Sequence, residues 1–217
     1  MQPLTLYTHR SGPNPWKVAF YLTELGIPYT EVFLDFDQVK KPSFTSINPN
    51  GRVPALHDPN NETTVFESGA ILEYIAENFD KDGKLCYSSG KEKYQQLSWL
   101  HFQMSGQGPY FGQCAWFLLY HGEKVQSAID RYAGEIKRML AVIDAHLAAT
   151  KSDYLVGGKC TYADLAWVPW NIVAHERLVP DWDASVQLPH YWAWHQRLLQ
   201  REAVRKVWEQ RRLAIES

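Results

Sequence analysis

Every stretch of this chain that reads as a β-strand lies before residue 67. Leu4 to Thr8 (LTLYT) is short and β-rich, Tyr29 to Leu34 reads as a second strand, and Pro54 to His57 and Thr63 to Phe66 flank the turn Asp58-Pro59-Asn60-Asn61. Trp16 to Leu25 carries Val18, Leu22 and Leu25 at helical spacing and stops at Gly26. A short helix is expected at 44–47, and Glu67 to Asn78 is amphipathic. The first 80 residues therefore read βαβαββα, a small α/β domain built on a βαβ unit. Residues 80–90 are polar and glycine-bearing, as a linker would be. After them only helical patterns follow, near 91–121, 124–149, 161–175, 187–199 and 201–211, a second, all-helical domain over 91–217. Thr161-Tyr162-Ala163-Asp164 has the pattern of a capping box before an apolar run.

The composition narrows what such a chain can do. With 217 residues, 45 % hydrophobic, it can bury a core without staples. A net charge of −2 gives no electrostatic reason to expect a nucleic acid or an anionic membrane as partner. No stretch approaches the ~20 apolar residues of a membrane-spanning helix, and no basic region followed by a long apolar run suggests a secretory leader. Cys86, Cys114 and Cys160 are far apart with no C-x-x-C spacing, which argues against a disulfide framework or a metal site and suits a reducing compartment. His190 and His195 lack metal-ligand spacing and are expected to be structural or exposed. The arginines and lysines between 197 and 212 are expected to form a solvated basic face.

Three features carry chemistry. Pro54 opens a strand in GRVPAL. Either it blunts a sheet edge, or a cis Val53–Pro54 bond bends the chain and leaves the Val53 N–H and C=O to pair with a peptide-like ligand. Glu67-Ser68 opens the helix in FESGAIL. The pair either caps the helix or grips a free amino-acid end, with Glu67 on the ammonium and Ser68 and the helix N-terminus on the carboxylate. Ser11-Gly12-Pro13-Asn14 joins the first strand to the first helix, where redox domains of this type carry Cys-x-x-Cys. No dithiol can cycle here. Asn14 either caps the helix or, with Ser11, donates to a thiolate held by a ligand and lowers its pKa.

The chain resembles the cytosolic glutathione transferases over essentially its whole length. Within them it is similar to the branch of the fungal nitrogen-catabolite regulator and the bacterial nu-class enzymes. The residues that carry the resemblance are RSGPNPWKV, FLDF, INPNGRVPAL, TVFESGAILEYIAE, FQMSGQGPYFGQ, AIDRYAGEIKR and YLVGGKCTYADLAWVPW. It implies a thioredoxin-like first domain, glutathione as co-substrate without a metal, and a cytoplasmic homodimer binding neither nucleic acid nor membrane. In the family the proline after the valine is cis and the valine backbone pairs with the cysteinyl backbone of glutathione, while the acid-serine pair holds the γ-glutamyl end. These roles fall on Val53, Pro54, Glu67 and Ser68. Asn14, with Ser11 before it, matches the residues near the glutathione sulfur. Tyr7, where other classes place a catalytic tyrosine, is assigned to packing. Arg131 matches an arginine that reaches across the dimer.

This sequence departs from its relatives at Val39, where they carry histidine or glutamine. The lysines that follow, Lys40 in particular, are the candidates for the glycine carboxylate. Trp16 and Tyr110 are expected to line an acceptor pocket. The function implied is conjugation of glutathione to an apolar electrophile, as in detoxification or biosynthesis, or glutathione-dependent disulfide reduction. The alternative is a glutathione-binding regulator with little catalysis.

Overall fold

The computed structural model describes residues 1–216. In chain order its elements are β1 (Leu4–Thr8), α1 (Pro13–Leu25), β2 (Tyr29–Phe33), α2 (Pro42–Thr45), β3 (Ala55–Asp58), β4 (Thr63–Phe66), α3 (Ser68–Phe79), α4 (Gly90–Phe102), α5 (Gly108–Ala115), α6 (Gln126–Thr150), α7 (Tyr162–Val173), α8 (Ala184–Gln187), α9 (Pro189–Leu199) and α10 (Glu202–Glu216). The thioredoxin-like α/β arrangement followed by helices is the fold expected.

In the first unit the strands lie in the order β2-β1-β3-β4. β1 and β2 are parallel; β3 runs antiparallel to both β1 and β4. The register pairs Tyr7 with Ala55 and Ala55 with Phe66, while Thr8 pairs with Phe33. The end of β1, the start of β3, the end of β4 and the end of β2 thus share one edge of the sheet, each neighbour about 4.8 Å from the next. Helix α1 is buried continuously from Pro15 to Leu22 because it packs on β1, α3 and α10 at once. It ends at Gly26, in the left-handed region at φ 70°, whose N–H reaches the Leu22 and Thr23 carbonyls.

The last helix departs from the domain boundary read in the sequence. Residues from 201 onward pack with 1–88, and the helical unit is Ser89–Gln200. Trp208 on α10 sits edge-on to Trp16 at 5.2 Å. Arg201 clasps Glu24 on α1, and Arg211 pairs with Glu31 on β2 while lying 5.4 Å over the Phe33 ring. The basic face expected to be solvated is therefore partly consumed: Arg211 is buried. The physical reason is that α10 carries Ala203, Val204 and Val207 on the same face as its paired arginines, and that face needs an apolar partner.

In the helical unit the helix expected near 91–121 is continuous, but its register is broken by π-helical turns at Gln103–Gln107 and Trp116–Tyr120. The first turn brings Gly106 so close to α6 that a Cβ there would stand 2.3 Å from the Met139 methyl. Asp164 of the capping box accepts from the N–H groups of Leu155 and Thr161 (2.8 Å each), from Thr161 Oγ1 (2.9 Å) and from Trp194 Nε1 (2.9 Å). His195 is buried, stacked parallel to Tyr191, and held neutral, its pKa pushed down to about 3 mainly by burial and further by His175. It is a core residue, as expected; His190 is exposed at the start of α9.

Candidate functional site

The shared sheet edge gathers the three loops that carry the sequence features. The loop after β1 holds Ser11 and leads into α1, the loop before β3 holds Val53 and Pro54, and the step from β4 into α3 holds Glu67 and Ser68.

Asn14 is not the cap of α1. Gly12 occupies that position in extended conformation, with Pro13 at the first helical residue. Pro13 and Pro15 have no N–H, so the donors at the tip of α1 are those of Asn14 and Trp16. The prolines thus concentrate the positive end of the helix on Asn14, whose side chain is half-buried there. Ser11 is exposed, and its N–H and hydroxyl both lie 3.2 Å from His9 Nδ1. An N–H only donates, so Nδ1 is an acceptor and the ring proton belongs on Nε2. Burial keeps the His9 pKa below its ordinary value, with Asp35 opposing and Arg10 reinforcing the shift. His9 is a residue that sequence reading missed. Its only signal was its place two residues before Ser11.

The Val53–Pro54 peptide bond is cis. Pairing within β3 begins at Ala55, so the Val53 N–H and C=O lie outside the ladder. The Val53 side chain joins Tyr7, Leu34 and Ile47 against the buried Val39, Phe44 and Ala55. This accounts for Val39: the position is part of a core. It also places Tyr7 in packing, as expected. Gly51 adopts φ 59°, and a Cβ there would meet the Val39 carbonyl at 2.7 Å, so only glycine suits this turn. The Gly51 carbonyl accepts from Lys40 Nζ at 2.7 Å, whereas Lys41 pairs with Asp37 at 2.9 Å on the surface. Of the two lysines, Lys40 is the one held against the Val53 loop.

Glu67 has φ 71° and ψ 121°, a region that L-residues rarely occupy. Its carbonyl accepts the first bond of α3, from Ile71 at 2.9 Å, but its side chain makes no capping bond and is exposed. Capping therefore does not explain the acid, and the backbone holds it in a strained conformation with its carboxylate turned out. Ser68 beside it is buried, and its Oγ stands 3.3 Å from Nζ of Lys17, a lysine that is 1 % exposed inside α1.

The remaining candidates separate. Trp16 is 2 % exposed and packs against Trp208, so it offers no surface to an acceptor, contrary to expectation. The packing of α1 on β1, α3 and α10 at once, which buries its whole middle, was not visible from spacing alone. In the helical unit Tyr110 is half-buried on α5 with its ring 6.3 Å from Tyr132, which stacks at 5.9 Å on Phe117. Arg131 on α6 is 63 % exposed and donates to Glu135 at 3.1 Å. Cys86, Cys114 and Cys160 are free thiols and buried. Among the described residues no group of three or more His, Cys, Asp or Glu side chains is placed to hold a metal ion, and no helix is long and apolar enough to cross a membrane.

Two family patterns match this chain: Glutathione S-transferase, N-terminal domain, over residues 2–77, and Glutathione S-transferase, C-terminal domain, over residues 85–202. The glutathione S-transferase-like protein OpS6 of Beauveria bassiana is 46 % identical over 208 residues, spanning 95 % of both chains. The glutathione transferase URE2P6 from Phanerochaete chrysosporium, solved with oxidized glutathione, is 48 % identical, with a TM-score of 0.94 over 98 % of both chains. Ure2p5 from the same fungus, cocrystallized with 1-(S-glutathionyl)-2,4-dinitrobenzene, is 38 % identical, with a TM-score of 0.92 over 100 % of this chain and 98 % of that one.

Proposed function

The chain belongs to the glutathione S-transferase family, and from that premise we propose that it transfers the glutathione thiolate to a small electrophile. The observation that carries this reading is Glu67: an acid held at φ 71° at the mouth of α3, released from capping, beside a buried serine and on the same sheet edge as Val53. An ammonium on Glu67 and a carboxylate on Ser68 and the α3 N-terminus account for one end of the tripeptide. The Val53 backbone outside the ladder accounts for its middle, and Lys40 for the glycine carboxylate.

The sulfur then falls to the β1–α1 loop. A donor aimed at a thiolate favours the charged form and lowers its pKa from about 8.5. Asn14 supplies that donor, aided by the helix tip, because the Ser11 hydroxyl also lies within reach of His9. In conjugation the thiolate sulfur attacks an electrophilic carbon and the leaving group departs with its electron pair. In disulfide reduction it attacks a sulfur, expels a thiolate, and a second glutathione resolves the mixed disulfide. All three cysteines are buried, so no protein thiol takes the second role in this scheme. The dinitrophenyl conjugate and the oxidized glutathione in the two fungal structures favour the first and second reactions respectively.

The exposed Arg131 suits a contact from a second copy of the chain, and three thiols that are not joined in disulfides suit the cytoplasm, so we place the enzyme there as a homodimer. Purified protein assayed with 1-chloro-2,4-dinitrobenzene and, in parallel, with a glutathione-reducible disulfide tests the proposal. Turnover in either supports it. Glutathione affinity without turnover in both assigns the chain to a binding role instead.

A further inference from the structure

Trp16 gives an acceptor no wall, because it is covered by Trp208. In the same unit the open aromatic surface next to Ser11 is a different pair, His9 and Phe36. Their ring centroids are 4.3 Å apart, with the planes tilted by 35°. Phe36 is nonetheless 70 % exposed, whereas Phe33 at the end of β2 lies beneath the guanidiniums of Arg10 and Arg211. A single exposed phenylalanine is ordinary. One that packs on a histidine fixed beside the sulfur loop is a platform for a flat ligand.

The histidine adds a polar group of known direction. Its Nδ1 accepts from the Ser11 N–H at 3.2 Å, so the ring hydrogen is on Nε2, across the imidazole from Ser11. Among the described residues Nε2 has no hydrogen-bond partner, and it is not one of the buried polar atoms that lack one, so it opens to solvent. The charged groups that face the ring are Asp35 and Arg10, of opposite sign. Burial outweighs them and keeps the imidazole uncharged at about pH 7.

We propose that His9 is a catalytic residue for flat electrophiles whose conjugated system ends in an oxygen: the acceptor lies against the open side of Phe36, and the His9 Nε2–H donates to the oxygen that gains negative charge as the glutathione sulfur adds. Enones are the simplest members of this class, and alkyl halides fall outside it. The proposal rests on the reading that the sulfur sits at the β1–α1 loop of a transferase.

When the thiolate adds to an enone, a sulfur electron pair forms the C–S bond and the C=C π pair moves into the conjugated system. The charge collects on the carbonyl oxygen. A fixed N–H stabilises that oxygen more than it stabilises the uncharged carbonyl, and this difference lowers the barrier. The enolate then takes one proton from solvent at carbon, and the imidazole keeps its own. The conjugated system holds the oxygen away from the carbon attacked, which suits a donor on the side of the ring that faces away from Ser11. An alkyl halide expels halide ion and gathers no charge on oxygen, so the donor does nothing for it.

The test compares trans-4-phenyl-3-buten-2-one, which has both the ring and the oxygen, with iodomethane, which has neither, at saturating glutathione. His9→Phe keeps a ring beside Phe36 and removes the donor. Its kcat/KM for the enone, divided by that for iodomethane, should fall about 10- to 100-fold, the low end of what one donor to a developing oxyanion supplies. Whatever the change does to Ser11 or to the thiolate acts on both acceptors alike, so the ratio is what is read. Phe36→Ala should lower the same ratio about 3- to 10-fold, through a raised KM for the enone.

A ratio that does not fall in folded His9→Phe overturns the role of His9, and one that does not fall in Phe36→Ala overturns the platform. A wild type that methylates glutathione with iodomethane but leaves the enone at its uncatalysed rate overturns the proposal while the transferase reading stands. Turnover of neither acceptor by protein that binds glutathione removes the transferase reading itself. Should His9→Phe fail to fold, His9→Ala takes its place, with the same expected fall and the same refuting result.

Discussion

Replacing Glu67 with glycine separates the cost of holding this residue from its use. The backbone at φ 71° and ψ 121° is strained for any residue with a Cβ, by about 1–3 kcal/mol. Glycine relieves that strain but enters from a freer unfolded state, which offsets about 0.5–1 kcal/mol. The side chain makes no capping bond, so its removal costs α3 no cap. Glu67→Gly should therefore be more stable by about 0.5–2 kcal/mol, or roughly 1–8 °C for a chain of this size. Glu67→Ala keeps the Cβ and the strain, and should melt within about 2 °C of wild type. Both variants lose the carboxylate that pairs with the ligand ammonium, a charged hydrogen bond of about 1.5–3 kcal/mol, so the glutathione Kd should rise about 10- to 150-fold in each. Thermal melts followed by circular dichroism, with calorimetric titration of the same samples, read both quantities. A glycine variant that melts no higher than the alanine variant refutes the strain argument. Unchanged affinity in either folded variant removes Glu67 from the site.

Asn14→Ala should raise the pKa of bound glutathione, seen as a shifted thiolate absorbance titration, and lower turnover near neutral pH with little change in affinity. Because Gly12 is the cap of α1, its stability should fall by less than the ~1 kcal/mol of a lost cap, and an unshifted titration passes the role to the Asn14 backbone N–H or to Ser11. Asp164→Ala leaves four buried donors without their acceptor and should cost about 3 kcal/mol or more in urea unfolding; a loss under 1 kcal/mol refutes the importance of that network. The Lys17 side chain titrates near about 7 in the fold and near ~10.4 when unfolded, so between these values the unfolded chain holds the extra proton and stability rises with pH, by up to about 1.4 kcal/mol per unit. Melting curves of wild type and Lys17→Met from pH 6 to 10 should converge or cross for this reason, whereas parallel curves refute a buried, titrating lysine.

Much of the architecture was legible because the signals are local. Alternation in Leu4–Thr8, the stop at Gly26, and Thr161 with Asp164 three residues on each specify their own element within a few residues. Glu67-Ser68 and Val53-Pro54 were legible as candidates but not as a site. Each had a structural explanation of its own, and the structure removed one of these by showing that the Glu67 side chain caps nothing.

What the sequence by itself determined is the succession of elements and the residue types each loop offers to a ligand, since both follow from backbone preference and side-chain chemistry over short distances. Tertiary structure decided the partners. It turned α10 from a solvated basic helix into the neighbour of α1, buried Trp16 under Trp208, chose Lys40 over Lys41 for the Gly51 loop, and drew His9 to Ser11 and Lys17 to Ser68. A hydrophobic period records that a face must be covered, and a charge records that it must be solvated or paired. Neither records which distant segment does the covering or the pairing, because that choice is made by the shape of the whole packed unit.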